Sequence, residues 1–242
     1  MQNNNLNIVV IGASGALGSE FVKQCADDEK TASVYAFSRS KAEFSSDKVK
    51  SHSIDIEDEN SIKSASQIAS KDVKIDMVIV ATGMLHDDKI MPEKSLKDLS
   101  AEKFNKIFSI NTIAPALIAK YFLPLLNKER RSIFTAISAR VSSISDNRLG
   151  GWYSYRASKS ALNMVLKNSA IEVKRSNKNA MIVGLHPGTV NSKLSKPFQA
   201  GVVSDKLFTP QYSVQKMLEV LKEKTPEDSG DLFDFNGIKI EF

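Results

Sequence analysis

Short runs rich in β-branched and apolar residues recur along this chain, each followed by a longer stretch of helical periodicity. LNIVVI (6–11), SVYAF (33–37), SHSI (51–54), IDMVIVA (75–81), SIFTAI (132–137) and AMIVGL (180–185) read as strands. Helical patterns cover 15–28, 59–70, 101–127, 152–175 and 211–224, and DLFDF (231–235) supplies a last strand. Strands that are apolar on nearly every residue need cover on both faces, which suits a parallel sheet. Strand–helix alternation provides that cover through right-handed crossovers. No repeat, low-complexity tract or linker divides the 242 residues. The pattern therefore predicts a single doubly wound α/β domain over 1–242, with a mostly parallel seven-stranded sheet and helices on both faces.

Composition narrows the function classes. A hydrophobic share of 42% fills one substantial core. The net charge of +5 is spread among acids, with no basic block longer than KERR at 128–131, so nucleic acid is not an expected partner. Cys25 is the sole cysteine, which fits a reducing, cytoplasmic setting. MQNNNLNIVVIGASG lacks the basic leader of a signal peptide. The apolar stretch IAPALIAKYFLPLL (113–126) contains Lys120 and two prolines and is shorter than a membrane span, so no membrane association is expected.

GASGALG (12–18) follows the first strand and opens the first helix. Gly12 permits a tight turn, Gly15 lets backbone approach a pyrophosphate, and Gly18 allows close helix–strand packing; the helix start then favours an anion. Glycines also make plain turns, but this placement points to a dinucleotide. An acid about 20 residues further on would grip a ribose 2′-hydroxyl. Here AFSRS places Ser38 and Arg39 instead. A guanidinium pairs with a 2′-phosphate through charge-assisted bonds, so NADP(H) is favoured over NAD(H).

Asn111 is the polar member of a stripe with Phe104, Ile107, Phe108, Ala114 and Ile118. A buried amide needs partners, so it either bonds backbone or serves a site. In GWYSYRASKSALN (151–163), Tyr155 has Lys159 one helical turn on, whereas Tyr153 has Ala157 there. A phenol near pKa 10 is a reluctant proton donor, and a neighbouring ammonium would lower that value. Tyr212 and Lys216 repeat the spacing, but Val214, Met217, Leu218 and Leu221 make the buried stripe of their helix and leave that pair toward solvent.

Together and in order, GASGALG, SR at 38–39, SID at 53–55, ATG at 81–83, SIN at 109–111, YRASK at 155–159 and HPGTV at 186–190 resemble the short-chain dehydrogenase/reductase family over essentially the whole chain. The run from SARVSS through YRASKSALN, LHPGTVNSKLSKPF and the closing FDFNG look like its C-factor-type branch, which includes small carbonyl reductases. The resemblance implies a Rossmann-type domain in which Tyr155 is the general acid/base. Lys159 would hold the nicotinamide ribose and depress the tyrosine pKa, and Asn111 would support a water relaying protons to the lysine. Cofactor contacts would come from Gly12, Ser14, Gly15, Leu17, Gly18, Ser38, Arg39, Asp55, Ile56, Ala81, Thr82 and Gly83, with Pro187, Gly188, Thr189 and Val190 cradling the nicotinamide. Segment 191–209 would form a lid over the substrate, and the chain would assemble as a homodimer or homotetramer.

This sequence departs from the family pattern in two places. The middle glycine of the loop stands at Gly15, where short members carry theirs one place later, at Ala16. The serine that orients the substrate carbonyl is displaced: its usual interval from the tyrosine points near Ser142, whereas the strand end points to Ala139, flanked by Ser138. Ser138 is preferred, with Ser142 second, and without either Tyr155 activates the carbonyl alone. His52, His86 and His186 show no metal-ligand spacing, so no metal is expected. His86 and Trp152 are candidate pocket walls. The expected activity is NADP(H)-dependent hydride transfer to a small carbonyl substrate or from an alcohol. The alternative is a dinucleotide-binding regulatory protein with little or no catalysis.

Overall fold

The computed structural model describes residues 5–201 and 203–242, so residues 1–4 and Val202 of the expected lid lie outside it. The main-sheet strands are β1 (Leu6–Ile11), β2 (Thr31–Ser38), β3 (Val49–Ser53), β4 (Met77–Val80), β5 (Ser132–Ile137) and β6 (Ala180–His186). After β6 come a two-residue pair, β7 (Thr189–Val190) and β8 (Leu207–Phe208), then β9 (Leu232–Asp234) and β10 (Lys239–Ile240). The sheet order is β10-β9-β6-β5-β4-β1-β2-β3, parallel except for β10. It has eight strands where seven are expected from sequence. The extra one arises because Gly237, at φ 78°, turns the chain back, with the Asp234 carboxylate accepting from the N–H groups of Asn236 and Ile238.

Alternation along each strand feeds two cores, one per face. Val9, Ile11, Tyr35, Phe37, Val78 and Val80 face helices α2 (Glu59–Ser70), α4 (Ala114–Phe122) and α5 (Tyr153–Val173). Ile8, Val10, Val34, Ala36 and Ile79 face α1 (Ala16–Asp27) and α6 (Pro210–Glu223). Chain order reverses between β1 and β4, which opens a crevice at their carboxyl ends.

The expected helix at 101–127 is composite. Helix α3 (Ala101–Phe108) passes through a wider turn at Ser109–Ile113, where the Ala114 N–H reaches back to Ser109, before continuing as α4. This is a π-bulge, a local widening found often at functional sites. By length and composition Ala101–Leu125 could cross a membrane, contrary to the expectation from 113–126 alone. Half of its most apolar window is buried in the fold, however, and Ile107, Ile118 and Phe122 are core residues.

Candidate active site

The glycine loop is shaped by close contacts. Gly12 has φ 93°, and a Cβ there would lie 2.9 Å from the Ala81 carbonyl group. A Cβ on Gly18 would lie 2.0 Å from the Gly12 oxygen, so this glycine lets α1 start directly against the turn. Gly15 is freer, at 3.3 Å from that same oxygen. Leu17 turns inward onto the α1–α6 core. Gly12, Ser14 and Gly15 line a cleft of about 430 Å³ together with Ser38, Arg39, Asp55, Ile56, Ala81, Thr82 and Gly83. Leu17, Gly18 and the Pro187–Val190 segment are not part of that lining.

The cleft has the chemistry a dinucleotide needs. Arg39 is exposed at its rim, and the buried Thr82 hydroxyl has no protein partner. An unpaired buried hydroxyl is costly unless a ligand completes it. Gly83 leaves backbone bare opposite two site residues: a Cβ there would lie 3.5 Å from Lys159 Nζ and 3.7 Å from Asn111 Oδ1.

Asn111 sits inside the π-bulge and is fully buried. Its Oδ1 accepts from the Met84 N–H at 2.8 Å, and its Nδ2 donates to the Met84 carbonyl at 2.8 Å and to Ser158 Oγ at 3.1 Å. The amide thus clamps the loop after β4 to α5. Pro115 has no N–H, so the Asn111 backbone carbonyl lacks its ordinary α-helical donor.

Tyr155 and Lys159 occupy the first turns of α5, both buried. Lys159 Nζ donates to the Ile137 carbonyl at the end of β5 at 2.8 Å and lies 6.0 Å from the Tyr155 ring centroid. Burial pushes the Lys159 ammonium down to about 8 and the Tyr155 phenol up to about 12. This reverses the expected sign for the tyrosine, because desolvation acts strongly on both groups. The other tyrosine–lysine pair is a surface feature, as expected: Tyr212 is exposed and Lys216 pairs with Glu219 at 2.7 Å.

Neither candidate serine is turned to the tyrosine. Ser138 Oγ donates to Asn163 Oδ1 at 2.7 Å; Ser142 Oγ donates to the Ala139 carbonyl at 2.6 Å and accepts from Asn163 Nδ2 at 2.7 Å. Asn163, two turns along α5 from Tyr155, engages both hydroxyls. The residue packed with Tyr155 and Leu85 is Ala139. Ser138, the preferred carbonyl-orienting residue, is thus engaged by Asn163, and so is Ser142, the second choice.

Apolar and aromatic groups surround Tyr155. Trp152 lies edge-on to it at 6.2 Å and to Phe198 at 5.0 Å, while Val141 and Leu194 complete the wall. Leu194 and Phe198 belong to the expected lid segment. His86 meets the Phe198 ring at 5.6 Å, and its Nε2 lies 3.2 Å from the Leu194 carbonyl. Pro187 to Val190 follow β6, with Gly188 at φ 73° lying against Phe208 and Phe235. His186 is half-buried, its imidazole driven down to about 4 by desolvation, and His52 stacks on Phe37. No cluster of metal-ligating side chains exists among the described residues.

Sequence reasoning missed Asn163, which fixes both serines, and Glu93, a buried acid beside the start of α5. Asn163 follows the YRASK motif but lies on the inner face of an unexceptional helix. Glu93 sits in an aperiodic loop. Neither carries a sequence signal of its role.

A glycine-bounded crevice at the reversal of a doubly wound sheet, flanked by a buried tyrosine–lysine pair, defines a dinucleotide-dependent oxidoreductase of the α/β class. The chain belongs to the short chain dehydrogenase family, whose profile matches residues 6–202. It is 29% identical over 178 residues to 1-hydroxy-2-glutathionyl-2-methyl-3-butene dehydrogenase of Rhodococcus, covering 73% of each chain. It is 30% identical over 146 residues to the C-signal protein of Myxococcus xanthus, covering 60% of this chain and 82% of that one. Among solved structures, NADPH-bound carbonyl reductase from chicken fatty liver superposes with a TM-score of 0.85 at 22% identity, covering 98% and 95% of the two chains. Carbonyl reductase Sniffer of D. melanogaster gives 0.83 at 18%, covering 98% and 100%. At these identities the structural likeness shows the shared fold.

Proposed function

We propose that this protein is an NADP(H)-dependent carbonyl reductase, with Tyr155 as the proton donor to the substrate oxygen. The observation that carries this reading is the buried Tyr155–Lys159 pair, with Lys159 facing bare backbone at Gly83 on the wall of the glycine-lined cleft. Bound nicotinamide supplies the hydride. Gly12, Ser14 and Gly15 receive the pyrophosphate on the helix start. Ser38 and Arg39 take the 2′-phosphate, Asp55 and Ile56 flank the adenine, and Ala81 to Gly83 follow the ribose. Pro187 to Val190 hold the nicotinamide end, and Lys159 Nζ has donors left over for a sugar hydroxyl.

A phenol pushed up to about 12 keeps its proton across the physiological range. Burial alone makes it a weaker donor than a free phenol, and the positive charge of Lys159 close by is what would offset this as negative charge grows on the substrate oxygen. Lys159, reaching about 8, stays charged at pH 7 and hands protons on more readily than a solvated lysine. The Asn111 carbonyl, short of its helical donor, suits a water feeding Lys159. Ala139 offers no hydroxyl, so Tyr155 acts on the carbonyl alone. The apolar wall excludes water from that step. Exposed Ile113 on the π-bulge, with Met164 and Ile171 on α5, suits assembly as a homodimer or homotetramer.

Consumption of NADPH with a panel of aldehydes, ketones and quinones, abolished by Tyr155→Phe, tests the assignment. No consumption across the panel overturns it. The Ala139 position favours one second reading: a dinucleotide-binding regulator with weak chemistry. Tight NADPH binding without turnover would select it.

A further inference from the structure

We infer that Glu93, outside the family motifs, is a positioning residue that sets the active-site end of α5. It holds Trp152 and Tyr155 in register with the cleft. The helix begins without a side-chain cap of its own. Three consecutive residues, Gly150, Gly151 and Trp152, approach it with positive φ of 63°, 65° and 52°, and Trp152 is the one non-glycine residue of that kind among those described. A left-handed tryptophan is strained and persists only where its surroundings enforce it.

Glu93 provides that enforcement from the loop between β4 and α3. Its backbone carbonyl accepts from the Trp152 N–H, and its carboxyl Oε2 accepts from the Ser154 N–H at 3.2 Å. It thereby does from another segment what an N-cap side chain does from within. Gly151 permits the approach, since a Cβ there would lie 3.4 Å from the Glu93 carbonyl oxygen. Glu93 is 1% exposed, and its second carboxyl oxygen has no partner. A buried unpaired oxygen costs stability, so a cap serving stability alone gains little from this residue. What it fixes is geometry: the two N–H groups it binds flank Tyr153 and immediately precede Tyr155, and the tryptophan it holds rests on Tyr155 and Phe198.

The inference rests on the assignment of Tyr155 above, and Trp152, the only tryptophan in the chain, supplies a readout independent of turnover. The full-length protein is compared with Glu93→Ala and Glu93→Gln. We expect Glu93→Ala to lower kcat by at least about tenfold, with NADPH affinity changed by less than about twofold. The Glu93 backbone carbonyl keeps its bond to Trp152 in every variant, so Trp152 emission should shift through loss of the carboxyl bond to Ser154, in parallel with kcat, and Glu93→Gln, which retains an acceptor, should restore both. Wild-type kcat and emission in Glu93→Ala would overturn the inference, as would a kcat loss matched by loss of NADPH affinity. If Glu93→Ala does not fold, Glu93→Asp, one methylene shorter, is read in the same way. If no variant or wild-type protein turns over, the reductase assignment fails, and the emission series still decides whether Glu93 holds Trp152.

Discussion

Lys159 reaches past Tyr155 rather than bonding to it: its Nζ is fixed 2.8 Å from the Ile137 carbonyl and stands 6.0 Å from the centre of the tyrosine ring. The strand β5 thus aims the lysine, and α5 carries both groups. Replacing Tyr155 by Phe keeps the ring against Trp152 and removes only the hydroxyl. Turnover should fall by roughly 10²- to 10⁴-fold, the usual worth of a positioned proton donor, with NADPH affinity nearly unchanged. Steady-state kinetics beside fluorescence titration of the cofactor separates the two effects.

The two buried groups also predict opposite trends of stability with pH. Lys159 is held at about 8 in the fold against 10.5 when free, so between these values the unfolded chain binds more protons and stability rises with pH. Tyr155, raised from 10.0 to about 12, contributes stability that is complete below 10 and lost through 12. Denaturant melts from pH 7 to 11 should show a rise that Lys159→Met removes. An unchanged slope in that variant would place the titration elsewhere.

Arg39→Ala should weaken NADPH selectively. A charge-assisted bond is worth about 1.5–3 kcal/mol, or roughly ten- to a hundredfold in KM, whereas NADH has no phosphate to lose. Equal losses for both cofactors would show that Arg39 does not read the phosphate.

Two glycines of one loop should respond unequally. A methyl group added at Gly18 would collide with the Gly12 oxygen at 2.0 Å, both positions being fixed by helix and turn. Gly18→Ala should cost about 1–3 kcal/mol or more and disrupt cofactor binding. Gly15→Ala, at 3.3 Å, should cost well under that. Thermal melts with and without NADPH compare them directly.

Ala139→Ser returns a hydroxyl to the side of Tyr155 that has none. Removing an oxyanion donor costs about 2.7–4 kcal/mol in an enzyme built around it, so adding one here should raise kcat several-fold. A fall would mean that the site is tuned to the apolar contact with Leu85.

Much of this architecture is readable from sequence because the parallel strands are apolar on both faces and the glycine loop has a mechanical reason for its spacing. Tyr155 and Lys159 are separated from Tyr212 and Lys216 by their company along the chain. The features that stay hidden are set by tertiary contacts. Ser138 looks free until Asn163, 25 residues on, is seen to accept its hydrogen bond. The sign of the tyrosine shift depends on burial, which spacing alone does not fix. The Asn111 stripe reads as a regular helix because one surplus residue in a turn leaves no mark on composition.

That surplus residue is absorbed within its own turn. A turn closed over one residue more than usual leaves Ile107 upstream and Ile118 downstream both buried in the fold, so trimming one position from 109–113 should not rotate one half of the rod against the other. It would erase the local swelling that carries Asn111, and with it the clamp on Met84 and Ser158. Such a deletion should leave the rod seated and the crevice without its tie.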